Sequence, residues 1–167
     1  YGGYVIHVGI VMIFLGITGT SAFKQERQIS LERGQTFEIG GYSLRYGGIE
    51  TDDDDHVASL KATVEVSRGG QVLEVLRPEK RFYKKPEQPA TEVAIRSTLG
   101  ADLYLVLGSY DPKSGVATLL AYLNPLVGWM WYGGVVLAFG FGIVVWPSRV
   151  EQRERAAQGV AVRTSGE

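Results

Sequence analysis

Charge is absent from both ends of this 167-residue chain: from Tyr1 to Phe23 and again from Ser114 to Ser148 there is no Asp, Glu, Lys or Arg. Twenty-three residues at about 1.5 Å rise span roughly 34 Å, and a hydrocarbon core needs roughly 30 Å. Each end is therefore long enough to cross a bilayer. The mean hydropathy of +0.01 and the net charge of −1 resemble those of an ordinary soluble domain, but they average two apolar ends with a polar middle. A secretory signal begins with a basic region and has an apolar stretch of only about 7–15 residues. Here the apolar stretch is longer and has no basic flank, so the expectation is a chain cut from a longer one. A near-neutral balance with no basic stripe argues against a nucleic-acid partner.

With no cysteine, the chain has no disulfide framework, no thiolate zinc site, no thiol nucleophile and no covalent haem attachment motif. Any haem would be held by non-covalent ligation. His7 and His56 are the two histidines, too few for a histidine-rich metal site.

Asn124 and Pro125 read as an N-cap followed by a first-turn proline, with a helix from about Leu126 to Trp146 that stops at Pro147. Trp129, Trp131, Tyr132 and Trp146 lie near its ends, where amphipathic rings meet headgroups. Arg149, Arg153 and Arg155 follow this span, and Thr118 to Asn124 carry no basic residue. The positive-inside rule then puts the C-terminus in the cytoplasm and the middle of the chain outside.

That middle reads as β. Apolar alternation is clearest in Ala62, Val64 and Val66 and in Leu103, Leu105 and Leu107. Turn signals delimit strands near Gln28–Leu31, Thr36–Ile39, Tyr42–Glu50, Val57–Arg68, Gln71–Tyr83, Thr91–Ser97, Asp102–Tyr110 and Val116–Leu123, with a turn at Pro86 to Pro89. The expected architecture is two transmembrane helices flanking an extracytoplasmic, mainly antiparallel β domain, a sandwich or partly open barrel. Its parts are a span over residues 1–23, the β domain over 24–123, a span over 124–147 and a disordered cytoplasmic tail over 148–167.

His7 is the ionisable group of the first span, and such groups face protein or a cofactor more than lipid. It has two uses there: a buried hydrogen bond, or ligation of haem iron by neutral imidazole. At roughly 100° per residue, Gly2, Val5, Gly9, Met12, Gly16 and Gly19 form a stripe opposite His7, a seam for a close helix neighbour. Gly3, Val11, Phe14 and Thr18 share the histidine face, where Gly3 and Phe14 would pack near a flat apolar cofactor. Gly134, Ala138 and Gly142 suggest a second helix-contact face.

Asp52 to Asp55 followed by His56 lacks the spacing of a Ca²⁺ loop and reads as a solvated hairpin tip. The five basic residues between Arg77 and Lys85, interleaved with Phe82 and Tyr83, fit either an anion-binding patch or a strand edge guarded by charge.

Tyr1-Gly2-Gly3-Tyr4-Val5-Ile6-His7-Val8-Gly9, Glu79-Lys80-Arg81-Phe82-Tyr83, Thr91-Glu92 with Ala94-Ile95, Asp102-Leu103-Tyr104, and Asn124-Pro125-Leu126-Val127 with Trp129, Trp131, Gly133 and Gly134 together resemble the C-terminal part of the CcmF family. CcmF is the membrane subunit of the cytochrome c haem lyase. The resemblance implies a bacterial inner-membrane protein of cytochrome c maturation, taking haem from the chaperone CcmE and attaching it to apocytochrome c presented by CcmH and CcmI. It implies that His7 matches one of two transmembrane histidines that hold a structural haem b. The tryptophan-rich WWD segment, the outward histidines that flank it and the other haem b histidine have no counterpart here, and His56 matches none of them. They are expected in the rest of the protein, so this chain alone is not expected to be catalytic. The alternative is a membrane-anchored β module that serves only as a protein-binding scaffold.

Overall fold

The computed structural model describes residues 1–54, 56–84 and 87–146. Helix α1 (Gly2–Phe23) leads into β1 (Gln25–Leu31), β2 (Thr36–Ile39), β3 (Tyr42–Asp53), β4 (Val57–Arg68) and β5 (Gln71–Leu76). Then come β6 (Glu79–Lys84), β7 (Glu87–Glu92), β8 (Ala94–Ser97), β9 (Ala101–Asp111), β10 (Val116–Pro125) and helix α2 (Val127–Val145). Both helices are long and apolar enough to cross a membrane. The tail expected over 148–167 and the expected stop at Pro147 lie outside the described residues. The chain divides into two compact units, residues 1–15 with the helix from 129 onward, and residues 16–128.

The helical unit is an antiparallel contact between glycines. A Cβ on Gly9 would lie 2.8 Å from the Gly133 carbonyl oxygen, and one on Gly2 would lie 3.0 Å from that of Gly140. The converse also holds: Cβ atoms on Gly133 and Gly140 would meet Gly9 and Ile6 backbone atoms at 2.7 and 2.8 Å. Seven-residue spacing on both helices keeps these positions on one seam. The α2 face expected from Gly134, Ala138 and Gly142 makes no such contact among the described residues. A Cβ at Gly134 or Gly142 would meet nothing within 4 Å, and Ala138 is exposed. The seam runs through Gly133 and Gly140 instead, because only these match the Gly2–Gly9 interval.

The second unit is a β-sandwich. One sheet has strand order β1-β10-β9-β8; the other has order β2-β3-β4-β6-β7, with β5 also pairing with β4. All the pairs are antiparallel. Period-2 alternation fills the space between them: Tyr42, Leu44 and Tyr46; Ala62, Val64 and Val66; Leu103, Leu105 and Leu107; Ala117, Leu119, Ala121 and Leu123 are all buried. Three bulges interrupt the pairing, at Gly47 in β3, at Leu73 in β5 and at Gly108 in β9.

Several expected boundaries shift, each for a local reason. The strand expected over Gln71–Tyr83 breaks at Pro78, which has no N–H to donate, although its carbonyl still accepts from the Ala62 N–H at 3.0 Å. The strand expected over Thr91–Ser97 is two strands in different sheets, divided at Val93. Pro89 lies within β7 opposite Phe82, not in a turn, because β7 is an edge strand where a missing N–H is tolerated. Strand β6 lies between β4 and β7, so its basic residues do not guard an edge.

The entry to α2 also differs. Asn124 and Pro125 are the last residues of β10, opposite Asp102 and Ala101, and not an N-cap and a first helical residue. Strand β1 reaches only to Leu123, so the Pro125 nitrogen faces no partner strand. Leu126 turns the chain with φ of 60°, its N–H donating to the Gly100 carbonyl at 2.8 Å. On the entering side, Gly16 is buried, Gly19 lies against the Leu126 side chain, and the Thr20 hydroxyl donates to the Pro125 carbonyl at 2.7 Å.

Candidate functional site

His7 lies on the exposed face of α1, opposite the glycine seam. Its Nδ1 is 2.7 Å from the Gly3 carbonyl oxygen one turn earlier. A carbonyl only accepts, so Nδ1 is the donor, and in the neutral ring the lone pair then sits on Nε2. That is the tautomer a metal-ligating histidine uses, with the hydrogen-bonded nitrogen fixing the ring. Gly3 leaves open space, with nothing within 4 Å of where a Cβ would sit. Phe14 on the same face is 65% exposed, and Val8 and Val11 are also exposed. The donor and its apolar surroundings fit a haem: one neutral imidazole nitrogen, no competing charge on the helix, and room beside the ring. One imidazole nitrogen is the donor that this face offers.

The β-sandwich holds the other candidate groups. Glu79 on β6 is 6% exposed; its carboxylate accepts from Arg81 Nε at 2.8 Å and lies 3.5 Å from Lys61 Nζ. Arg81 also reaches Glu92 at 2.8 Å. The Arg81 hydrogen bond, chiefly, holds the Glu79 carboxyl below the usual range, against the opposing effect of burial. Lys80 Nζ reaches across the sandwich to the Gly108 carbonyl at 2.7 Å, and Lys84 pairs with Asp53 at 2.8 Å. Three of the basic residues between Arg77 and Lys85 are thus committed to internal partners; Lys85 lies outside the described residues.

Asp52 and Asp53 end β3 in an exposed hairpin; Asp55 lies outside the described residues. His56 is exposed in the same turn. Among the described residues no group of three or more His, Cys, Asp or Glu side chains could hold a metal ion. Sequence reasoning missed the Glu79 network and a polar pocket of about 230 Å³ lined by Arg33, Tyr46, the Gly47–Gly48 bulge and Tyr110. Burial, first, and then Tyr110 push the Tyr46 hydroxyl pKa up, while Arg33 opposes. The adjacent glycines at 47 and 48 were the available signal, since a paired glycine inside a strand marks a bulge.

Residues 22–125 match the model of the CcmF C-terminal beta-sandwich family. The chain belongs to the CcmF family. The cytochrome c-type biogenesis protein CcmF of Pseudomonas aeruginosa is 31% identical over 166 residues, covering 96% of this chain and 25% of that protein. CcmF of Escherichia coli is 28% identical, covering 92% and 24%. A solved structure of the cytochrome c heme lyase CcmF superposes with a TM-score of 0.66 at 25% identity, covering 87% of this chain and 24% of that one. The chain therefore spans about a quarter of the length of the CcmF relatives it matches, and the helix–sandwich–helix arrangement agrees with the family.

Proposed function

We propose that this chain is the C-terminal segment of a membrane haem lyase in cytochrome c maturation, and that His7 is one axial ligand of a non-covalently held haem b. The observation that carries the reading is the Nδ1–H to Gly3 carbonyl bond, which in the neutral ring turns the Nε2 lone pair toward an open apolar helix face. When bound, the haem supplies an iron that exchanges one electron. The chain's own residues do the rest: Gly3 and Phe14 shape the space beside the ring, and the Gly2–Gly9 and Gly133–Gly140 seam fixes α1 against α2. The second ligand and the WWD segment belong to the remaining part of the protein.

Both helices then cross the bacterial inner membrane, with the sandwich in the periplasm and the tail in the cytoplasm. The partners on this reading are the haem chaperone CcmE, CcmH and CcmI, and apocytochrome c. The test is the absorption spectrum of the complete protein with His7→Gly. The expected result is loss of the low-spin b-type signal and its partial return on adding imidazole. Unchanged haem content and redox potential overturn the assignment and leave the scaffold-only reading of the β domain.

A further inference from the structure

The turn joining β8 to β9 is held far more firmly than its length requires. Thr98 N–H donates to the Ala101 carbonyl at 3.1 Å. The Thr98 hydroxyl donates to the same carbonyl at 2.7 Å and accepts from the Ala101 N–H at 3.1 Å. The Gly100 carbonyl accepts from Leu126 N–H at 2.8 Å, and Leu126 immediately precedes α2. What this rigid turn presents is a leucine: Leu99 is 69% exposed. Single exposed leucines are ordinary on protein surfaces, so exposure alone decides nothing. Position does, because Leu99 is one residue, about 3.8 Å of chain, from the carbonyl tied to the start of an apolar helix.

The surroundings agree. On the outer face of the same sheet, Ile95, Tyr104, Tyr122 and Glu26 stand in one cross-strand row, and Lys24, directly after α1, pairs with Glu26 at 3.7 Å and places its ammonium 5.1 Å from the Tyr122 ring centre. Tyrosine, lysine and an aliphatic tip are the composition of a membrane–water interface. The outer face of the other sheet carries Arg45, Lys61, Glu65 and Glu79 beside the exposed Val75. Asp102, beside the turn, is withdrawn from the surface.

We infer that the Thr98–Gly100 turn is a membrane anchor of the sandwich, with Leu99 inserted among lipid headgroups and upper acyl chains. This rests on the reading of α1 and α2 as membrane spans. The stapled turn fixes the depth of the domain rim, as a flexible loop would not.

This chain has no cysteine of its own, so in a protein cleared of any cysteines elsewhere a single substitution carries the label. A nitroxide is attached to Leu99→Cys, and separately to Lys113→Cys in the β9–β10 turn at the opposite end of the sandwich, in the complete protein reconstituted in vesicles. The label at 99 is expected to collide several-fold more with oxygen than with a water-soluble nickel chelate, and the label at 113 is expected to do the reverse. Equal nickel access at 99 and 113 overturns the anchor, as does shielding of 99 from both reagents, which would mean that another protein segment covers it. A third label, at Phe139→Cys on the exposed side of α2, separates the two readings. Nickel access at 139 as well as at 99 removes the membrane reading together with the anchor; oxygen access at 139 with a nickel-accessible residue 99 removes the anchor alone.

Discussion

The helical unit and the sandwich keep their partners close by different means. In the sandwich, side chains of fixed size, such as Leu44, Val64, Leu105 and Leu119, fill the space between sheets and are fully buried. Between α1 and α2 the space is emptied, and glycines let backbone atoms meet. Aqueous burial of apolar area drives the first. For apolar helices in lipid that drive is absent, and close van der Waals approach takes its place. One unit is therefore sensitive to losing atoms and the other to gaining them.

The largest expected effect tests the first half of that contrast. Leu105→Ala should lower sandwich stability by about 3 kcal/mol, read from the β circular-dichroism band in denaturant, with α1–α2 proximity unchanged. Next, Gly9→Leu or Gly133→Leu should separate the helices, costing about 1–3 kcal/mol by overpacking. Cross-linking between α1 and α2 should fall while the sandwich unfolds at its usual midpoint. A shift of that midpoint by a seam variant would break the contrast.

Glu79→Gln should cost about 1 kcal/mol at neutral pH, discounted because Arg81 and Lys61 are partly exposed. Glu79 has a depressed pKa in the folded protein, so its contribution is present above the ordinary glutamate pKa of about 4.3. It is lost as the pH falls through the lower folded value. Denaturant midpoints between pH 6 and pH 3 should fall less steeply for Glu79→Gln than for the native sequence. The smallest effect is the sharpest: Gly134→Ala should be neutral or stabilising by up to about 1 kcal/mol, whereas Gly133→Ala, one residue away, should loosen the pair. A loosened pair or lost haem in Gly134→Ala would instead reveal another helix on that face.

The uncharged ends and the Ala62–Val66 and Leu103–Leu107 alternations were legible because charge and period 2 are local properties. The α2 contact face was not. That helix is apolar on every side, so no stripe distinguishes Gly133 from Gly134, and the choice depends on which residues α1 presents. The Asn124–Pro125 pair misled for a related reason: as a local signal it caps a helix, but pairing with Asp102 and Ala101 extends β10 through it. The Nδ1 contact of His7 was out of reach, since a sequence names the imidazole but not the acceptor it meets.

That acceptor is the backbone carbonyl of Gly3, not a side chain. No substitution at position 3 removes a carbonyl, so an acceptor for Nδ1 is present for as long as the first turns of α1 remain helical. The hydrogen-bond acceptor of His7 is thus inherited with the helix itself, and changes in the neighbouring side chains can alter the shape of the space around the ring without removing it.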